Sequence, residues 1–197
     1  MSVRNSLLAI LTMGDAYGFQ LHGELDARTA GRRRVNVGQI YSTLERLVVQ
    51  GAVESAGSTS DGLPLYRLTD LGHTEAVTWL HGTHSATGDD WDEMLDRVLI
   101  ASSLPQIDAI GIVHRYREAW AARVATTGPG LPSGQLRLAS AADAAQAHAA
   151  LSWLDTVGTL LQASSSPSAG EDSPVFHREF SVERPKRGRR PSLATAG

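Results

Sequence analysis

The sequence contains no cysteine and a single lysine, Lys186, in 197 residues. The missing cysteine excludes disulfides, thiolate metal sites and thiol nucleophiles. No apolar run approaches the roughly 20 residues that a membrane span needs. The short run Leu7 to Leu11 lacks the length and cleavage site of a secretory leader, so the expected location is cytoplasmic. G-x-S-x-G, G-x-x-x-x-G-K-[ST], H-E-x-x-H and G-x-G-x-x-G are all missing. Carboxylates are scattered along polar helix faces. No catalytic residue, cofactor or metal is therefore expected. His81 and His84 give H-x-x-H with only Asp89 and Asp90 nearby, and they read as surface histidines.

The net charge of −3 excludes a globally basic protein. Distribution says more than the sum. Arg28, Arg32, Arg33, Arg34 and Arg46 form one cationic group, and Arg184, Lys186, Arg187, Arg189 and Arg190 form a second.

Apolar spacing predicts helices over 3–13 and 16–28, the second with Asp15 as N-cap, and then a polar loop over 29–35. The clearest helix covers 37–50, with Asn36 as N-cap and Gly51 just past its end. Ile40, Leu44, Leu47 and Val48 form its buried stripe. Gln39, Ser42 and Arg46 stand opposite, with Thr43 beside them. The period then changes. Residues 52–55 and 63–68 read as two strands around the polar turn Gly57-Ser58-Thr59-Ser60-Asp61-Gly62. Thr69 caps a helix over 70–82. Three helices closed by a hairpin make a winged helix-turn-helix, whose tip is free to touch a nucleic-acid backbone.

Three blocks then sharpen the reading. They are Tyr17-Gly18-Phe19-Gln20-Leu21, the stretch from Gly38-Gln39-Ile40-Tyr41 through Leu44 and Leu47 to Gly51, and Tyr66-Arg67-Leu68-Thr69-Asp70-Leu71-Gly72. With Leu8-Ala9-Ile10-Leu11 before them, they resemble the PadR family of bacterial transcription regulators over residues 5–80. Departures are Phe19 for tyrosine, Ser42 where proline is frequent, and Leu63-Pro64-Leu65 where the wing is commonly basic. The resemblance implies a homodimer, a C-terminal helical dimerisation region and, usually, repression.

The remaining chain is compatible with that. Helices are expected over 91–103, from Pro105 to about 126, and over 140–163, the last near heptad spacing. Beyond Ser164 the composition predicts disorder. The fold class is thus mainly α: a winged helix-turn-helix (three helices plus a two-stranded β wing) over 1–83, a helical dimerisation domain over 89–163, and a disordered basic tail over 164–197.

Gln39, Ser42, Thr43 and Arg46 are the candidate base readers, since glutamine and arginine forks match adenine and guanine edges. A merely solvated helix face is the alternative. Arg32, Arg33, Arg34 and Tyr41 are candidate phosphate contacts; a solvated loop, and packing of Tyr41, are their alternatives. Trp91 is a candidate ligand or dimer aromatic, though packing explains it better. Arg184, Lys186, Arg187, Arg189 and Arg190 are a candidate accessory DNA arm close to the Arg-Gly-Arg-Pro of an AT-hook; a tail without specificity is the simpler reading. The expected partners are double-stranded DNA with an inverted-repeat operator, a second copy of the chain and a small-molecule effector. The competing readings are a protein-interaction module and a ligand-binding dimer that does not bind DNA. Seven arginines against eight acidic residues in 1–83 keep the first of these open.

Overall fold

The computed structural model describes residues 3–83, 90–126, 134–164 and 176–181. Its elements are α1 (Val3–Leu11), β1 (Ala16–Tyr17), α2 (Gly18–Arg28), α3 (Val37–Val49), β2 (Val53–Ser58), β3 (Pro64–Leu68), α4 (Asp70–His81), α5 (Asp90–Ser103), α6 (Ala109–Thr126) and α7 (Gln135–Ser164).

From Leu7 to Leu11, α1 is apolar all round. Leu7, Leu8, Ala9 and Ile10 are completely buried, which is what a helix without a polar face requires. α2, α3, α4, α5 and β3 all touch it. α3 keeps Ile40, Leu44 and Leu47 inward, as expected, but Val48, expected in the same stripe, is 42% exposed near the end of the helix. The Asn36 side chain accepts from the Gln39 amide at 2.8 Å and starts the helix. Gly51, at φ +72°, ends it. There the Ala52 amide donates to the Leu47 carbonyl and the Gly51 amide to the Val48 carbonyl, the two bonds of a Schellman motif.

The wing differs from expectation by one strand. The sheet has the order β1-β3-β2, with Ala16 opposite Tyr66 and Val53 opposite Leu68. Ala16 and Tyr17 therefore pair with β3 instead of opening α2, which starts at Gly18. Asp15 is not the N-cap of α2; it takes Arg67 of β3 in a two-pronged contact. Thr69 does cap α4, accepting from the Gly72 amide at 3.2 Å.

Pro105 does not open α6. It lies in a turn, and Asp108 takes the capping role by accepting from the Gly111 amide at 2.8 Å. α7 is longer than its heptad pattern suggests. It runs antiparallel to α6, because Val113 meets Gly158 while Arg117 pairs with Asp155.

α4 and α5 share a single core. Met94, Val98, Ile100, Ala101 and Leu104 belong to the same buried cluster as α1, and the cluster continues to Leu161. A polar knot reinforces this seam. Arg97 of α5 donates to the Gly82 carbonyl, to the Tyr116 hydroxyl of α6 and to Glu93, and Glu93 also accepts from Trp79 of α4 at 2.8 Å. The Arg97 guanidinium lies over the Trp79 and Tyr116 rings.

Residues 176–181 correct the expectation of disorder from 164 onward. They form a strap along α2 and α5. Phe176 and Phe180 pack on the core, and backbone groups at 178 and 181 bond to Ser103, Arg28, Glu24 and Gln20.

Candidate nucleic-acid interface

Buried residues on one side of α3 lock its orientation and leave Gln39, Ser42 and Arg46 exposed on the other. The three are grouped along one face. The Ser42 hydroxyl donates to the Gln39 carbonyl at 3.1 Å, and Arg46 Nε donates to the Ser42 carbonyl at 3.1 Å. Both side chains are thus folded onto their own helix. Thr43 is different. It is only 5% exposed, and its hydroxyl donates to the Gln39 carbonyl at 2.7 Å while accepting from Arg46 at 3.2 Å. It positions Arg46 rather than facing outward.

The arginine run divides. Arg34 is exposed beside the start of α3. Arg33 is committed to Asp96 of α5, and Arg32 approaches Asp92 at 3.6 Å. Burial pushes the Asp96 carboxyl above its ordinary value, and the Arg33 bond works against that shift. Two of the three candidate phosphate arginines therefore brace the loop against α5. The signal was legible in principle, since Asp92 and Asp96 are spaced i, i+4 on one helix face.

Tyr41 is half-buried against Gly18, where an added Cβ would lie 2.5 Å from its ring. That contact joins the first two family blocks: the glycine of one makes room for the tyrosine of the other. The Tyr66 phenol nearby is pushed above its usual value by burial, with Tyr41 and Glu45 adding to the shift. The third block's Gly72 is equally constrained, as a Cβ there would come within 1.9 Å of the Ala52 carbonyl oxygen.

The wing tip has no cation. Thr59 bonds Asp61 at 2.6 Å and receives the Leu63 amide at 3.0 Å, so the tip is ordered, polar and faintly acidic. On the other flank of α3, Arg4 of α1 bonds Gln50 at 3.1 Å and Glu75 at 2.6 Å. Val3, Arg4, Gln39, Thr43, Arg46 and Gln50 line a shallow groove of about 240 Å³.

A profile of the Transcriptional regulator PadR-like family matches residues 7–77. Over those residues the chain is similar to the PadR-like family. No curated protein matches the chain. Among solved structures, Bacillus subtilis PadR in complex with operator DNA is 18% identical, with 80% of this chain and 97% of that one covered and a TM-score of 0.38. Bacillus subtilis PadR in complex with p-coumaric acid is 20% identical, covering 81% and 98%, with a TM-score of 0.36. The protein smu.1604c from Streptococcus mutans UA159 is 18% identical, covering 79% and 98%, at 0.38. The likeness to the PadR-like family thus rests on residues 7–77 and on the three blocks inside them.

Trp91 and His81 lie outside α3. Trp91 of α5 packs on Trp153 of α7, with ring centroids 6.3 Å apart. His81 contacts Arg115 at 2.9 Å, while His84 and Asp89 fall outside the described residues. So do Arg184, Lys186, Arg187, Arg189 and Arg190. Among the described residues, no cluster of three or more metal-ligating side chains occurs, and no helix is long and apolar enough to cross a membrane.

Proposed function

We propose that this PadR-like protein is a homodimeric repressor that reads duplex DNA through α3. The observation that carries the reading is the polar strip Gln39, Ser42 and Arg46 on a helix whose other face is fixed in the core. Such a helix presents donors and acceptors at a set angle, as major-groove reading requires. Arg34 and Tyr41 flank the strip and supply phosphate contacts. The dimer is supported by α7, which leaves Leu136, Leu138 and Leu160 exposed in the single chain. A two-fold dimer calls for an inverted repeat with half-sites one helical turn, about 34–36 Å, or a multiple of it apart. Repression, relieved by a small molecule acting on the C-terminal helices, completes the reading.

Genomic footprinting of the protein tests it. The expected result is an inverted repeat, with affinity falling steeply as salt rises. Alanine at Gln39, Ser42 or Arg46 should weaken that binding by about 1–3 kcal/mol for each base contact removed, with the dimer still folded. Unchanged affinity in all three variants removes α3 from recognition. The cation-free wing tip favours one competitor, a protein-interaction module, which would show no salt-dependent DNA binding.

A further inference from the structure

α3 ends on a polar residue whose side chain is held from outside the helix. Gln50 is the C-cap of α3. It stands eleven positions after Gln39 and four after Arg46, so the helical period puts it on the side of the polar strip. It is exposed, and its backbone amide donates to the Arg46 carbonyl at 2.9 Å. Arg4 of α1 donates to Gln50 Oε1 through Nε and through Nη2, each at 3.1 Å. Arg4 is braced in turn by Glu75 of α4 at 2.6 Å and by Asn5 Oδ1 at 3.3 Å.

This chain of contacts decides which end of the Gln50 amide faces outward. A guanidinium has donors and no acceptor, so only the amide oxygen can face it. Two bonds occupy the two lone pairs of that oxygen. What Gln50 has left to offer is its pair of N–H donors. A glutamine with both ends available pairs with adenine as donor and acceptor at once. A donor-only amide suits an acceptor-only group, and phosphate oxygens are acceptors only.

Two further observations favour a phosphate. The groove between α1 and α3 has Arg4, Gln39, Arg46 and Gln50 in its lining and, among the described residues, no carboxylate. It is a surface fitted to an anion. Position along the helix agrees. Helix-turn-helix proteins touch base edges with the first residues of the recognition helix. Eleven residues advance about 16 Å along the axis, against a major groove about 12 Å wide. A helix that enters by the Gln39 end carries Gln50 toward the phosphate wall.

We propose that Gln50 donates to one backbone phosphate at the mouth of the groove between α1 and α3, and that Arg4 is the positioning residue that turns its donors outward. The inference rests on the DNA-reading role of α3 proposed above.

The test uses the full chain and a duplex that it selects from a random pool. Single phosphates are replaced in turn by neutral methylphosphonate, and affinity is measured for the wild type and its variants. The wild type should be sensitive at one phosphate per half-site that Gln50 serves. Gln50→Glu keeps the size of the side chain and a bond to Arg4, and it sets an acceptor where a donor stood. It should bind about tenfold more weakly, as the loss of a hydrogen bond to a charged group predicts, and its sensitivity at that phosphate should vanish. Arg4→Ala should lose the same sensitivity, and Arg4→Lys, which still offers Gln50 a donor, should restore it. A purely structural Arg4 would lower the melting temperature and leave the phosphate signature in place. Arg46→Ala should weaken binding and keep that signature. Wild-type affinity in Gln50→Glu, beside a loss in Arg46→Ala, overturns the inference and leaves α3 as the reader. A changed base preference with the phosphate signature intact overturns it too. If the full chain selects no duplex, the DNA-reading role itself fails and the Gln50 contact fails with it.

Discussion

A methyl group on Gly72 would sit 1.9 Å from the Ala52 carbonyl oxygen. That oxygen already accepts from the Thr69 amide at 3.1 Å, so it cannot retreat without loosening the start of α4. Gly72→Ala should accordingly cost about 3 kcal/mol, the upper range for overpacking, read as a lowered denaturant midpoint at constant slope. An unchanged midpoint would mean that α4 can slide away from β2. The same kind of contact logic separates Ser42 from Thr43. Adjacent on α3, one faces solvent and the other is 5% exposed. Helical projection alone puts Thr43 at the margin of the polar face. Val3 and Arg4 of α1 lie beside it, so its burial could not be seen in the local pattern.

At the scale of elements, the N-cap of α3 joins stability to recognition. Asn36 satisfies the Gln39 amide, and Gln39 is itself a proposed reader in the same first turn. Asn36→Ala should destabilise the protein by about 1 kcal/mol and weaken DNA binding as well. Thermal melts and operator titrations of the one variant check both effects, and a melt that falls with binding untouched would place Gln39 outside the contact. The sheet makes a prediction in pH. The bond from Arg67 holds the Asp15 carboxyl below its ordinary value of 3.8, with burial opposing the shift. A carboxylate with a depressed folded pKa contributes stability above its unfolded pKa and loses it as pH falls through the folded value. Asp15→Asn should thus be slightly less stable at neutral pH, and the gap should close in acid below 3.8. Unfolding midpoints of both proteins across that range decide it; a gap that persists in acid would mean Asp15 acts through something other than its charge. The Asp15–Arg67 pair also shows why β1 is invisible to periodicity. Two residues are too few for an alternating pattern, and only the partner strand makes Ala16–Tyr17 a strand.

Over the whole molecule, the winged helix-turn-helix shares its core with α5. Met94, Val98, Ile100 and Leu104 are at most 1% exposed, and they pack in the same core as α1. Each contributes about 1.5–3 kcal/mol of burial, which together approaches the roughly 5–15 kcal/mol total stability of a typical domain. A chain restricted to residues 1–83 should therefore lose its cooperative thermal transition instead of surviving as a folded monomer. Circular dichroism melts measure this, and a sharp transition in the short chain would show that α5 is dispensable. Contact between α5 and the N-terminal half runs through this shared core, through Arg33–Asp96 and through Arg28–Ser103.

Local pattern settled the identity and order of the main helices, the polar wing turn, the caps at Asn36 and Thr69 and the exposed strip on α3. These follow from period, capping chemistry and turn residues, each readable within a few positions. Three glycine- and tyrosine-bearing blocks carried the resemblance to the PadR-like family, whose profile matches residues 7–77. Tertiary packing alone decided where Arg32 and Arg33 go, because their charge partners Asp92 and Asp96 are chosen by distance in space and not by spacing in sequence. It alone joined α5 to the N-terminal core. It alone turned a stretch of polar tail into a strap. Composition averaged over 164–197 hides Phe176 and Phe180, two of the three phenylalanines in the chain, and a segment this short gains its order from the buried Glu24–Arg28 pair waiting for two more hydrogen bonds.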